Sequence, residues 1–231
     1  SIGALWKTPP MPELFDAYDA ARNRMLDLAR EVGPDGLSVI VPACPDWTAL
    51  DLLTHCVSLP AAIGAGDLPS GDTNDWIARI IADRSGRSVD ELAEEWVGCN
   101  DTIAGMVNGG GAMLFDDLAV HEHDLRAALG RPNHDVIDAD IIVPRCLASC
   151  VAALDTAGLR GIEVRNADGV WRSHDGEPGW VLEVDSWEAM RTIYSRRTAE
   201  EIRAMGGSDT IDAYITILDD HLPLPTRSLG E

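Results

Sequence analysis

Through its first two thirds the chain spaces its apolar side chains at helical intervals and stops each run with glycine or proline. This pattern commits most of its length to helices that pack on one another. Between Glu13 and Val32, the residues Leu14, Tyr18, Met25, Leu28 and Val32 mark one stripe, and Gly33, Pro34 and Gly36 end it. A short β-branched piece, Leu37 to Val41, follows. Thr48 is a good N-cap and Asp51, three residues on, a capping-box partner, so a helix is expected from about 49 to 59. Residues 64–71 read as a loop. Further helices are expected over 75–85, over 89–107 (capped by Ser88 with Glu91), over 112–129 and over 138–158. The third of these stops at Gly130-Arg131-Pro132.

Beyond Gly158 the texture changes. Residues 161–166, 170–173 and 180–184 are short β-branched or aromatic runs parted by Asp-Gly and Asp-Gly-Glu-Pro-Gly turns, which predict hairpins. Helices are expected again over 186–205, interrupted near Ser195, and over 209–218. The fold class is therefore α+β: a helical domain over 11–158 and a small α+β domain over 159–231. At 45% hydrophobic residues, the chain can bury a core without staples.

Eighteen basic against 39 acidic residues leave a net charge of −21. Phosphate backbones and anionic membranes both need clustered Lys and Arg, so neither nucleic acid nor membrane is expected as a partner. No apolar run approaches the roughly 20 residues that cross a bilayer, and no signal-peptide pattern opens the chain. Five cysteines, without CxxC or zinc-finger spacing, read as small buried hydrophobes in a reducing, cytoplasmic setting. The glycine run after Asn108 lacks the Lys-Ser/Thr of a P-loop and a preceding strand, so no phosphate role is expected there.

Chemistry concentrates in the histidines. His134, His174 and His221 lie in or beside turns and read as surface groups. In FDDLAVHEHDL, residues 115–125, Asp117 and His121 are four apart and share a helix face close to Leu114, Leu118, Leu125 and Leu129. Such groups, turned inward, need a partner. His55, on a strip with Leu52 and Leu59 and near Trp47, offers one, giving the donors of a His₂-carboxylate metal site with an open position. An exposed Asp117–His121 ion pair and a simply hydrogen-bonded His55 are the plain alternatives. His123 points to another side. Asp124 either orients His121 from behind or joins a surface pair with Arg126 or Arg131. Cys56 adjoins His55, but neighbouring helix positions diverge by ~100°, which argues against a Cys–His pair.

The segment VPACPDWTALDLLTHCVSLP resembles the P-x-C-P-G-W-T-v-x-D-L-v-x-H signature of mycothiol-dependent maleylpyruvate isomerase-like proteins. DDLAVHEHDLRAALGRP is similar to that family's E-L-x-V-H-x-x-D-L-x-x-A-L-G signature, and residues 161–202 resemble its C-terminal domain. The resemblance implies a DinB-like four-helix bundle followed by a small C-terminal α+β domain. It also implies a divalent metal, usually zinc, held by His55, Asp117 and His121. Asp117 stands where the family has Glu, and Asp46 where it has Gly. Arg196, or Arg197, matches a family arginine that would clamp a substrate carboxylate; a solvated surface beside Glu200 and Glu201 is the alternative.

The implied activity uses mycothiol, a low-molecular-weight thiol, as cofactor and a small electrophilic molecule as substrate. Thiolate addition makes a double bond single, and rotation with elimination then isomerises it; an adduct released instead is an S-transfer. The charge of −21 slows the approach of anionic substrates, which favours this broad class over maleylpyruvate itself. The alternative is a non-catalytic metal- or thiol-binding regulatory protein on the same fold.

Overall fold

The computed structural model describes residues 11–108, 113–134 and 139–230. Two compact units divide the chain between Asn133 and His134. The first contains α1 (Met11–Gly36), β1 (Ile40–Val41), β2 (Cys44–Thr48), α2 (Ala49–Gly64), α3 (Thr73–Ala82), α4 (Val89–Gly98), α5 (Asn100–Asn108) and α6 (Met113–Ala128). The helices close a ring: α1 packs on α6, α6 on α2, α2 on α4, and α4 back on α1. Leu14, Tyr18, Met25 and Leu28 of the expected stripe are all buried inside it. Gly33 leaves the helical region at φ 66°, which kinks α1 ahead of Pro34.

Polar groups also tie the ring together. Glu122 of α6 is buried and receives a two-pronged bond from Arg24 of α1, at 2.7 and 2.6 Å, and another from Arg126 at 3.0 Å. Trp96 of α4 donates its indole N–H to the Tyr18 hydroxyl at 2.9 Å, the two rings meeting edge to face. The Thr48–Asp51 capping box forms in both directions. α2 outruns its expected end at 59, passing through Pro60 to Gly64, because Ala62 on its last turn packs against Trp76 and Ile80 of α3. The helix expected over 89–107 breaks at Cys99 into α4 and α5, where Asn100 turns aside to meet Arg22 at 2.5 Å. Residues 44–48 pair antiparallel with β1 as a ribbon that lies against α2, with β1 also against α6.

The second unit holds α7 (Ala139–Ala157), β3 (Ile162–Arg165), β4 (Val170–Arg172), β5 (Trp180–Leu182), α8 (Ser186–Ile193), α9 (Ala199–Met205) and α10 (Ile211–His221). The expected domain edge at 158 and this division at 133/134 differ by α7, whose Ile142, Cys146, Cys150 and Leu154 are buried and which packs on α8, α10 and β4. The sheet order is β4-β3-β5. β3 and β4 form the expected hairpin, but β5 runs parallel to β3. The Gly179 N–H bonds to the Gly161 carbonyl at 2.8 Å, so the intervening turn delivers β5 to the far edge of β3. Buried Glu163 on β3 is held by Arg165 and Arg172. The break expected near Ser195 is present, with Ser195 at φ 60° between α8 and α9. Among the described residues no helix is long and apolar enough to cross a membrane.

Past α9 the chain returns to β5. The Val181 N–H reaches the Gly207 carbonyl at 3.1 Å, and a Cβ on Gly207 (φ +83°) would stand 1.9 Å from the Val181 oxygen. Gly158 has a similar positive φ but open space around it. Gly207→Ala should therefore destabilise this unit by about 2–4 kcal/mol, against about 1 kcal/mol for Gly158→Ala, in urea denaturation.

Candidate metal centre

Two adjacent helices of the first unit build the site. Leu52, Leu53 and Cys56 turn α2 inward, and Leu114, Leu118 and Leu125 do the same for α6. These apolar faces carry His55 and His121 into the interior, with exposures of 3% and 7%. Asp117 lies one turn before His121 and keeps partial solvent access, its side chain 28% exposed. The three residues selected from the sequence therefore come together. His55 Nε2 lies 3.3 Å from Asp117 Oδ2, and His121 Nε2 lies 3.4 Å from Asp117 Oδ1. The three donor atoms all fall within 4.8 Å of one another.

His55 and His121 face different oxygens of Asp117 as ion pairs, and each of the three residues also offers one donor atom within reach of the other two. The arrangement can hold a divalent ion, with the shorter Asp117 side chain reaching both imidazoles.

A supporting shell surrounds the donors. Asp124, fully buried, accepts from or shares a proton with His121 Nδ1 at 3.0 Å. It is thus the orienting group, since Arg126 pairs with Glu122 and Arg131 with Glu31 instead. Trp47 of β2 tilts over His55 with ring centroids 4.9 Å apart and lies 6.1 Å from His121. His55 Nδ1 is buried without a hydrogen-bond partner. Cys44, also on β2, brings a half-buried thiol close to His121 and Asp124. Sequence reasoning passed over Cys44 as a ligand; its one signal is the Pro42-Ala43-Cys44-Pro45 run, which extends the chain just ahead of the α2 cap.

Electrostatics follow from burial and pairing. Burial alone would raise the Asp117 carboxyl, but the facing imidazoles of His121 and His55 hold it well below the usual carboxylate range. Burial would lower His121, yet the charge of Asp117 and the bonds to Asp117 and Asp124 outweigh it and push His121 up to about 9. Burial, aided by Asp117 and Asp124, lifts the Cys56 thiol well above its ordinary value, so Cys56 is no ready nucleophile.

The other sequence candidates distribute as follows. His123 is buried, and His221 is exposed as expected. His134 is exposed yet stacks on Trp187 with centroids 3.7 Å apart, and His174 bonds to Ser173 and Asp155. None of the five cysteines is in a disulfide; Cys56, Cys146 and Cys150 are buried as expected, while Cys44 and Cys99 are half-buried. Arg196 belongs to the second unit and is buried rather than solvated, its Nη1 donating to the Tyr194 carbonyl at 2.8 Å. Arg197 is gripped by both oxygens of Glu188. Glu201 caps α9 through Thr198. Glycines 109–111 lie outside the described residues.

Compared with known family models, curated proteins and solved structures, the chain finds no match. The site's own geometry is what supports a functional reading.

In metal-free protein, His121 has a folded pKa raised above its unfolded value of 6.5. Its stabilising contribution should be complete below about 6.5 and lost as pH rises through about 9. Urea denaturation of chelator-treated protein should show this decline, and His121→Gln should remove it. A divalent ion must displace the His121 proton, so apparent Zn²⁺ affinity should rise about tenfold per pH unit until pH passes about 9. Competition titrations with a chelator check this slope.

Proposed function

We propose that the chain is a metal-dependent thiol enzyme acting on small electrophiles. The carrying observation is the meeting of His55 Nε2, His121 Nε2 and the Asp117 carboxylate at 3.3 and 3.4 Å. Zinc is the favoured ion, because two imidazoles and a carboxylate leave a fourth tetrahedral position for an exogenous ligand. When bound, such an ion stabilises a coordinated thiol as thiolate near neutral pH, which mycothiol or a similar low-molecular-weight thiol would exploit. The resemblance of residues 41–60 and 116–132 to mycothiol-dependent maleylpyruvate isomerase-like proteins supports this reading, together with a DinB-like bundle and a cytoplasmic setting. The reaction class is cis–trans isomerisation of a maleylpyruvate-type double bond, or transfer of the thiol to the electrophile.

The chain's own residues have separable duties. Asp124 holds His121 in the tautomer that presents Nε2 as a donor, a role its 3.0 Å contact with Nδ1 suits. Trp47 restricts rotation of the His55 ring and shields it from water. Partly exposed Asp117 marks the side from which small molecules enter.

A metal- or thiol-binding module without turnover is the second reading. It is favoured by Asp117, which is one methylene shorter than the Glu of the family that the chain resembles.

Mass spectrometry of untagged protein should find about one divalent ion per chain, lost in His55→Ala and in His121→Ala. Asp124→Asn should weaken metal affinity by about 10–100-fold. Mycothiol-dependent isomerisation should vanish with the ion. No metal after reconstitution would overturn the centre; metal without any thiol-dependent turnover would leave the binding module.

A further inference from the structure

The interior around His121 carries more ligand atoms than one ion needs. The Cys44 thiol, a His121 ring nitrogen and an Asp124 carboxylate oxygen also lie within 4.8 Å of one another. His121 turns Nε2 toward Asp117 and Nδ1 toward Asp124, at 3.4 and 3.0 Å. We propose that Cys44, Asp124 and His121 Nδ1 form a second metal-binding locus, one that takes thiophilic divalent ions of the cadmium type. It stands without the first locus, since neither His55 nor Asp117 contributes to it.

Three features support it. The donor set pairs a soft sulfur with an imidazole and one carboxylate, which favours thiophilic ions over the hard cations that need mainly oxygen. Asp124 is fully buried, so its charge is screened poorly and gains from a cation beside it. Cys44 is half-buried on a two-stranded ribbon, which gives an incoming ion a route that the buried Cys56 lacks.

The shared ring makes the two loci exclusive. A neutral imidazole has one lone pair and one N–H. With an ion on Nε2, Nδ1–H donates to Asp124. With an ion on Nδ1, Nε2–H faces Asp117. The tautomer of His121 therefore selects the locus, and a thiophilic ion expels the ion held through Nε2.

Cadmium titration of the full chain, followed by the ultraviolet thiolate-to-metal charge-transfer band, tests this. Wild-type protein should develop the band with about one equivalent of Cd²⁺ and release a previously bound Zn²⁺. His55→Gln, which disables the first locus, should keep the band, so failure of the zinc centre stays distinguishable from failure of this one. Cys44→Ser should lose the band while retaining Zn²⁺, Cys56→Ser should keep it, and Asp124→Asn should shift its midpoint at least tenfold to higher Cd²⁺. A band that survives in Cys44→Ser, or Cd²⁺ bound to wild-type protein without one, overturns the proposal.

Discussion

One carboxylate lying between two imidazoles from different helices is the constraint around which the first unit is arranged. Asp117 cannot sit beside the apolar faces of α2 and α6 unless its charge is compensated, and His55 and His121 supply that compensation. The consequence reaches outward. To meet Asp117, α2 must present His55 at its middle, which sets the rotation of α2 and, through the Thr48 cap, where the ribbon before it lands. The ribbon then delivers Trp47 over His55 and Cys44 beside Asp124.

The rotation of α6 is fixed independently. Glu122, the residue after His121, is buried against Arg24 of α1 and Arg126 of its own helix. Adjacent helix positions diverge by ~100°, so pinning Glu122 toward α1 points His121 toward α2. An ion-pair network that itself does no chemistry thereby aims the ligand. Breaking a buried network of this kind is costly because it strands charge, and here it would also misdirect the imidazole.

The sequence made the local rules legible. The Thr48–Asp51 and Ser88–Glu91 boxes, the stop at Gly130 and the shared face of Asp117 and His121 all follow from spacing along one helix. What stayed hidden depends on partners far away in the chain. The parallel seating of β5 is decided by a turn bonding back to Gly161, the break at Cys99 by an arginine on α1, and the continuation of α2 through Pro60 by a tryptophan on α3. α7 reads as a bundle helix because its apolar period says nothing about which neighbour it meets. Cys44 escaped notice for a related reason: a lone thiol acquires meaning only when another element brings imidazole and carboxylate to it.

The aspartate at 117, one methylene shorter than glutamate, has a further consequence. A side chain with two rotatable bonds has few ways to place its oxygens, so it surrenders little freedom on being ordered. The separation of α2 and α6 is thereby dictated by a short rigid strut rather than accommodated by a flexible one. Drift in how these helices pack, even far from the centre, is transmitted to the donor spacing almost undamped. The helix interface and the His55, Asp117 and His121 cluster must therefore change together wherever that cluster is kept.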